Sequence, residues 1–83
     1  NPFNPATTIA YSLPEAAKLS IVIYDAIGQE VRTLVGSAET AAGRYTVQWD
    51  AKDSSGRNVA SGVYFAHITA GKFKDIRKMM LLK

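Results

Sequence analysis

Apolar and polar residues alternate with a period of two along most of this chain. The pattern is clearest over 18–25, where Leu19, Ile21 and Ile23 share one side. It recurs over 7–13, 45–50, 63–69 and 73–82. Successive side chains of a strand point to opposite faces of a sheet, so this period predicts strands with one buried and one solvated face. No segment shows a helical period, and we predict an all-β fold of antiparallel strands.

Short turn signals separate the predicted strands, at 13–15, 26–29, 42–43, 53–56 and 70–71, and each contains Gly or Pro. We place a further strand over 29–35 and a short extended piece over 58–60. We place a loop over 36–42, because its residues are small and polar. Short strands with turns about every 8–12 residues are typical of an immunoglobulin-like sandwich. The predicted fold is therefore an immunoglobulin-like antiparallel β-sandwich of about seven strands.

The alternation also predicts the core. Five large residues lie on the apolar side of their strands, and we expect them to form one buried cluster between two sheets: Ile21, Ile23, Trp49, Tyr64 and Ile68. Tyr45 and Tyr64 each follow a glycine by two positions. Glycine lets the chain turn sharply into a strand, so we expect both tyrosines to pack in the sandwich rather than to stack on a sugar.

Length and composition limit the function classes. Eighty-three residues make one domain. The chain begins at Asn1 without Met, and we expect that it was cut from a longer protein. We assign residues 1–6, with their two Asn-Pro steps, to a linker remnant and residues 7–83 to the folded domain. The lack of cysteine excludes disulfides and thiolate zinc sites. No apolar run approaches the ~20 residues of a membrane span.

The charge pattern does not suggest a nucleic-acid partner. Ten basic residues against seven acidic ones give a net charge of +3. The excess is spaced along the last predicted strand, at Lys72, Lys74, Arg77, Lys78 and Lys83. A nucleic-acid site would show a denser basic stripe with stacking aromatics. A solvated strand face is the better interpretation, and edge lysines also discourage aggregation.

Neither catalysis nor a cofactor is predicted. The single histidine, His67, falls on an outward strand position, so we interpret it as a surface residue rather than a general base. Asp50, Asp53, Ser55 and Asn58 offer oxygen ligands, but their spacing fits an EF-hand poorly. We expect this loop to be an Asx-type turn in which Gly56 has a positive φ, without an essential metal. A weak calcium site is the alternative.

Several motifs resemble a known family. They are "NPFNP" at the start, "SIVIYDAIGQEV", "GRYTVQWDAKDSSGRNVASGVYF" and the terminal "RKMMLLK". Their order resembles the C-terminal sorting domain of proteins exported by the type IX secretion system. The same order is also similar to the immunoglobulin-like domain of the flagellar hook-capping protein. The first and last motifs favour the sorting domain, whose signal sits at the extreme C-terminus.

The sorting resemblance implies a non-catalytic recognition module that directs an attached passenger to the cell surface. Its implied partners are the outer-membrane secretion translocon, a sortase-like peptidase and a passenger domain upstream. The implied location is secreted or on the cell surface, reached through the periplasm of a Gram-negative bacterium. Two alternatives remain open. One is a structural or adhesive module that self-assembles through strand edges, and the other is a carbohydrate-binding module of an extracellular enzyme.

The final strand carries the predicted recognition site. In a strand, Met79 and Leu81 point to one side, while Lys78, Met80 and Leu82 point to the other. If the first pair faces the core, two large apolar side chains flanked by lysines face solvent. A clustered apolar pair with a charged rim suggests a contact surface. We therefore predict that Lys78, Met80, Leu82 and Lys83 are read by a partner. The alternative is that strand twist or a bulge turns Met80 inward.

Overall fold

The computed structural model describes residues 6–82. This part of the chain forms six strands: β1 (Thr7–Leu13), β2 (Ala17–Asp25), β3 (Glu30–Thr40), β4 (Gly43–Trp49), β5 (Gly62–Ala70) and β6 (Phe73–Leu81). Strands β1 and β4 form one sheet, and the other four form a second sheet in the order β3-β2-β5-β6. All pairings are antiparallel. The all-β prediction is confirmed, and the architecture is consistent with an immunoglobulin-like fold.

The predicted number of about seven strands is wrong, because the described residues contain six. The extended piece expected over 58–60 makes only one isolated bridge, between Asn58 and Lys52. The loop expected over 36–42 is also wrong in part, since β3 continues to Thr40. Small polar residues are tolerated there because β3 lies at a sheet edge and pairs with β2 as far as Ala17.

The core lies between the two sheets. The five residues expected in it are all buried, and Ile21, Ile23, Trp49 and Ile68 have no exposed surface. The cluster joins both sheets, because the rings of Trp49 and Tyr64 meet edge to face with centroids 5.2 Å apart. Such pairs add to the stabilisation from burial. The core prediction is confirmed.

One carbonyl in the loop after β4 bonds side chains of two different strands. Lys52 O accepts a hydrogen bond from Trp49 Nε1 at 2.9 Å and another from Arg32 Nη1 at 3.2 Å. The same Arg32 nitrogen lies 2.9 Å from Asp50 Oδ1. Arg32 belongs to β3 and Trp49 to β4, so this loop ties the two sheets together at one end.

The β5–β6 hairpin is tight and regular. Its two central residues are Gly71 and Lys72, and Ala70 pairs with Phe73. Gly71 has a φ of 63°. Glycine with positive φ at the first central position is the signature of a type II′ turn, whose twist matches that of the flanking strands. The register then continues without a shift to Gly62 opposite Leu81.

Candidate protein-interaction surface

One face of the four-stranded sheet covers the core, and the other is open to solvent. The outward positions of β6 are Lys74, Ile76, Lys78 and Met80, and all four are exposed. Opposite them on β5 stand Thr69, His67, Phe65 and Val63, which are half-buried. Directly opposite residues of antiparallel strands share a face. We call the outward positions of β2, β3, β5 and β6 the outer face.

The centre of the outer face is apolar. Tyr24 pairs with Phe65, and Val22 pairs with His67. The Tyr24 and His67 rings contact each other with centroids 4.4 Å apart. These two rings, Phe65 and Ile76 line a shallow depression. The large exposed apolar residues Ile76 (58%) and Met80 (67%) extend this region along β6. Contiguous apolar surface of this kind marks interaction sites more often than isolated residues do.

Charges of opposite sign border the apolar centre. Lys74 and Lys78 lie along β6 at one edge. At the other edge, Glu30 of β3 pairs with Tyr24 of β2, so it shares the outer face with Tyr24. The Thr33 hydroxyl donates a hydrogen bond to Glu30 Oε2 at 3.2 Å, which keeps the carboxylate on this side of the sheet. The outer face is therefore basic along one edge strand and acidic on the other.

The two edges of this sheet are protected differently. Beside β3, Ser54 donates its N–H and its hydroxyl to Val31 O, and the register with β2 shifts at three places. On β6, the Asp75 carboxylate accepts the Ile76 N–H at 2.9 Å and Arg77 Nε at 2.7 Å. These bonds lower the pKa of Asp75, with the Arg77 side-chain bond as the main cause. Both devices discourage strand addition at an edge.

The structure places three of the four predicted site residues. Met79 packs against the core and Leu81 is buried, whereas Met80 and Leu82 are exposed. The predicted alternation is confirmed, and no bulge turns Met80 inward. Lys78 is exposed beside them, and Lys83 lies outside the described residues. That these side chains contact a partner stays a prediction.

Sequence analysis missed the rest of the outer face, namely Tyr24, Phe65, Ile76 and Glu30, and it treated His67 as an isolated surface residue. Ile76 lies on β6 with Met80 but before the terminal motif, and the others lie on β2, β3 and β5. The signal that could have found them is the pairing register, since the two-residue hairpin at Gly71 fixes which β5 residue stands beside each β6 residue.

The 50–58 loop is a turn, as predicted. Asp53 Oδ1 accepts the N–H groups of Ser55 and Arg57, each at 3.0 Å, and also the Ser55 hydroxyl at 2.7 Å. Gly56 has a φ of 88°. The Ser55 hydroxyl is the main cause that lowers the pKa of Asp53, followed by the Arg57 N–H. Within residues 6–82, no group of three or more His, Asp or Glu side chains is arranged to hold a metal ion.

The two predicted packing tyrosines also have a specific role. Tyr64 is buried, and Tyr45 is half-buried against the core. The Tyr64 hydroxyl donates to Ala60 O, and the Tyr45 hydroxyl donates to Ala41 O, each at 2.7 Å and four residues back along the chain. The prediction of packing is confirmed. The hydroxyl bonds were missed, although the spacing Ala-x-Gly-x-Tyr occurs twice in the sequence.

A second surface candidate lies on the small sheet, where Tyr11 and Tyr45 stack with centroids 5.6 Å apart. Arg44 and Arg77 border the open groove beside them. Burial and then the neighbouring Tyr45 raise the pKa of Tyr11. Because Tyr11 is buried, it does not present a ring face on which a sugar could stack. This groove is weaker than the outer face as a binding surface.

Two antiparallel sheets around one core define a small immunoglobulin-like class of domain. Comparison with family models identifies the family within that class. The chain belongs to the FlgD Ig-like domain family, whose model matches residues 4–72. No helix in residues 6–82 has the length and apolar character needed to cross a membrane.

Solved structures of FlgD have the same fold. FlgD from P. aeruginosa superposes with a TM-score of 0.68 at 24% identity, covering 92% of this chain and 60% of that one. FlgD from Xanthomonas campestris superposes with a TM-score of 0.63 at 25% identity, covering 93% of this chain and 56% of that one. The chain thus spans less than two thirds of either FlgD. Comparison with curated proteins found no match.

These findings correct the sorting-domain hypothesis. Of the two families that the motifs resemble, the hook-capping one is supported and the type IX one is contradicted. The same findings contradict the expected export function, the translocon and sortase-like partners, and the route through the periplasm to the cell surface. The two alternatives, self-assembly through strand edges and carbohydrate binding, fit the findings no better.

The structure gives a physical reason for the error. Within the two internal motifs, the stretches "YDAIG", "DSSG" and "SGVY" contain the turn aspartates, their glycines and Tyr64. These residues hold turns and strand starts together, so they report the fold and do not distinguish two families that share it. The choice between families depended on the two ends of the chain. Residues 1–5 and 83 lie outside the described structure.

Proposed function

We propose that this domain is a non-catalytic scaffolding module of a FlgD-type protein, and that it provides protein contacts in the capping of a flagellar hook. The observation that carries the proposal is the match of the FlgD Ig-like family model over residues 4–72. The FlgD of Xanthomonas campestris takes part in hook capping, which is essential for flagellar assembly. The fold agreement with both FlgD structures supports the same assignment.

The geometry of the domain supports scaffolding rather than chemistry. The single histidine packs its ring on Tyr24, and the two aspartates of the 50–58 loop are engaged with their own backbone and with Arg32. The outer face instead offers apolar surface with charged borders, which suits binding to a protein. Within this proposal the fold is an immunoglobulin-like sandwich, residues 7–83 are the functional module, and residues 1–6 are a linker.

The test is genetic and uses the full parent protein. Codons for residues 7–82 are deleted in frame from the parent gene, and hooks are counted by electron microscopy of isolated basal bodies. We expect hooks to be absent or shortened and swimming to be lost, with both restored by an intact copy. Immunoblotting establishes that the shortened protein is still made. Normal hooks, or a parent organism that builds no hook, would contradict the proposal.

A further inference from the structure

We propose that the outer face is a homotypic docking surface, on which a second copy of this chain seats its own outer face through a twofold axis. The inference concerns this chain's own assembly and does not depend on the hook-capping proposal. It takes up Lys78 and Met80 from the predicted site and joins them to residues of the other strands. The charge pattern of the outer face identifies the partner that it fits.

One row of the outer face carries the argument. The register places Glu30 opposite Tyr24, Tyr24 opposite Phe65, and Phe65 opposite Lys78. The row therefore has a carboxylate on β3 at one end, two aromatic rings in the middle and an ammonium on β6 at the other end. Among the described residues, Lys78 and Glu30 each take part in no ion pair. Both charged side chains are exposed, and the Glu30 carboxylate carries one hydrogen bond, from the Thr33 hydroxyl.

This row is complementary to itself after rotation. A twofold axis that runs along the strands, between two stacked sheets, exchanges left and right and keeps the height along the strands. It places β6 of one copy over β3 of the other. Lys78 then faces Glu30 of the second copy, and Glu30 faces Lys78 of the second copy. Tyr24 and Phe65 meet the same pair of rings in exchanged order. An isologous contact requires this self-complementarity.

The size of the face is adequate for such a contact. Four strands spaced by about 4.8 Å, of which three have nine residues and β3 has eleven, give a face of about 20 Å by about 30 Å. Two such faces would remove roughly 1,200 Å² from solvent, which is at the lower end for specific protein interfaces. The apolar centre with a charged border also follows the usual arrangement of an interface core and rim.

Pairing through the β6 edge is the competing geometry, and the structure disfavours it. The Asp75 carboxylate occupies the Ile76 N–H, a group that an added strand would need. A two-fold edge pairing of β6 with β6 would also bring Lys74 and Lys78 of two copies close together. Like charges opposite each other destabilise a strand pair. Face-to-face stacking avoids both obstacles, because it leaves the edge bonds in place and brings opposite charges together.

The experiment measures the association of the 83-residue chain by sedimentation equilibrium at low salt, up to about 1 mM, where even a weak dimer is populated. We expect a monomer–dimer equilibrium. Both K78E and E30K should weaken it by at least about tenfold, because each places like charges together at both symmetric contacts. An equimolar mixture of K78E and E30K should restore dimerisation as a heterodimer, because both contacts are then complementary again.

The matched control is R44E, which changes the net charge by the same amount on the small sheet, away from the outer face. It should leave the dimer constant unchanged. All variants alter exposed side chains, and thermal unfolding establishes that each is folded. A monomer at every concentration overturns the proposal. So does a dimer that K78E and R44E weaken equally, or a mixture of K78E and E30K that stays monomeric.

Discussion

Two side-chain arrangements occur twice in this chain, and both fix loops to strands. In the first, Asp25 Oδ1 accepts the N–H groups of Ile27 and Gln29, as Asp53 Oδ1 does for Ser55 and Arg57. In the second, a tyrosine hydroxyl bonds a carbonyl four residues back. Each supplies hydrogen bonds to backbone groups that no strand partner satisfies. Single residues therefore decide the loop conformations.

The tyrosine bonds allow a paired comparison. Tyr64→Phe leaves Ala60 O without its donor at a partly buried site, and we expect a loss of about 1 kcal/mol in the free energy of unfolding. Tyr45→Phe removes a bond that is exposed, where water can replace the hydroxyl. Its loss should be smaller. Urea denaturation of both variants checks this, and an equal or larger loss for Tyr45→Phe would contradict it.

The lowered pKa of Asp53 predicts how the stability of the fold changes at acid pH. Its pKa is lowered first by the Ser55 hydroxyl. A carboxyl whose pKa is lower in the folded state stabilises the fold above its unfolded pKa, and this stabilisation is lost as the pH falls through the folded pKa. Ser55→Ala should therefore raise the pKa of Asp53 toward its ordinary value of 3.8. The acid-dependent loss of stability should become smaller.

Carboxyl-carbon NMR titration measures this shift directly. Asp75 serves as the internal reference, because its pKa is lowered mainly by Arg77 on β6, away from the 50–58 loop. Its titration should not move in the Ser55→Ala variant. An unchanged Asp53 titration would show that the hydroxyl bond is absent in solution.

At the level of secondary-structure elements, the alternation in the sequence predicts which strand positions face the core. It does not predict features that depend on how the strands pair. Period two alone predicts that Met79 and Leu81 face one side of β6 and that Met80 faces the other. The extent of β3 does not, because β2 supplies the bonds that hold its small residues extended. The outer face could be predicted only along β6, since the register between strands brings Tyr24 and Glu30 into the same row as Lys78.

The Asp75 carboxylate covers the Ile76 N–H at the edge of β6, and hydrogen exchange can test this protection. Asp75→Ala removes the acceptor of the Ile76 N–H and releases Arg77. We expect the Ile76 amide to exchange faster, because an edge amide without an acceptor opens to water. Asp75→Asn is the matched control, since its side-chain oxygen can still accept the bond. If the Ile76 amide exchanges equally fast in the wild type and in Asp75→Ala, the Asp75 carboxylate does not protect this edge.

At the scale of the whole molecule, the Trp49–Tyr64 pair is one direct aromatic contact between the two sheets within their shared core. Trp49 ends β4 in the small sheet, and Tyr64 belongs to β5 in the large one. Trp49 has no exposed surface. A domain of this length buries a smaller fraction of its surface than larger domains do, so its stability margin is narrow. Loss of this contact should therefore affect the entire fold.

Trp49→Ala should destabilise the domain by about 3–5 kcal/mol, because it leaves a large cavity between the sheets. That is a large part of the about 5–15 kcal/mol available to a typical domain. Trp49→Phe keeps an aromatic ring and loses the bond from Nε1 to Lys52 O. Its decrease in the free energy of unfolding should therefore be smaller than that of Trp49→Ala. Thermal and urea unfolding measure both. A Trp49→Ala variant that melts at the wild-type temperature would contradict the structure.

The two aspartate turns differ in one respect that matters for engineering. The second is docked, because Ser54 at its tip bonds Val31 O in β3. The first is closed by hydrogen bonds within residues 25–29, and its tip residue Ile27 is 79% exposed. Loop tips of this kind tolerate insertions best. A peptide epitope or fluorophore attachment site can therefore be placed between Ala26 and Ile27, whereas the same insertion after Ser54 would displace the chain from β3.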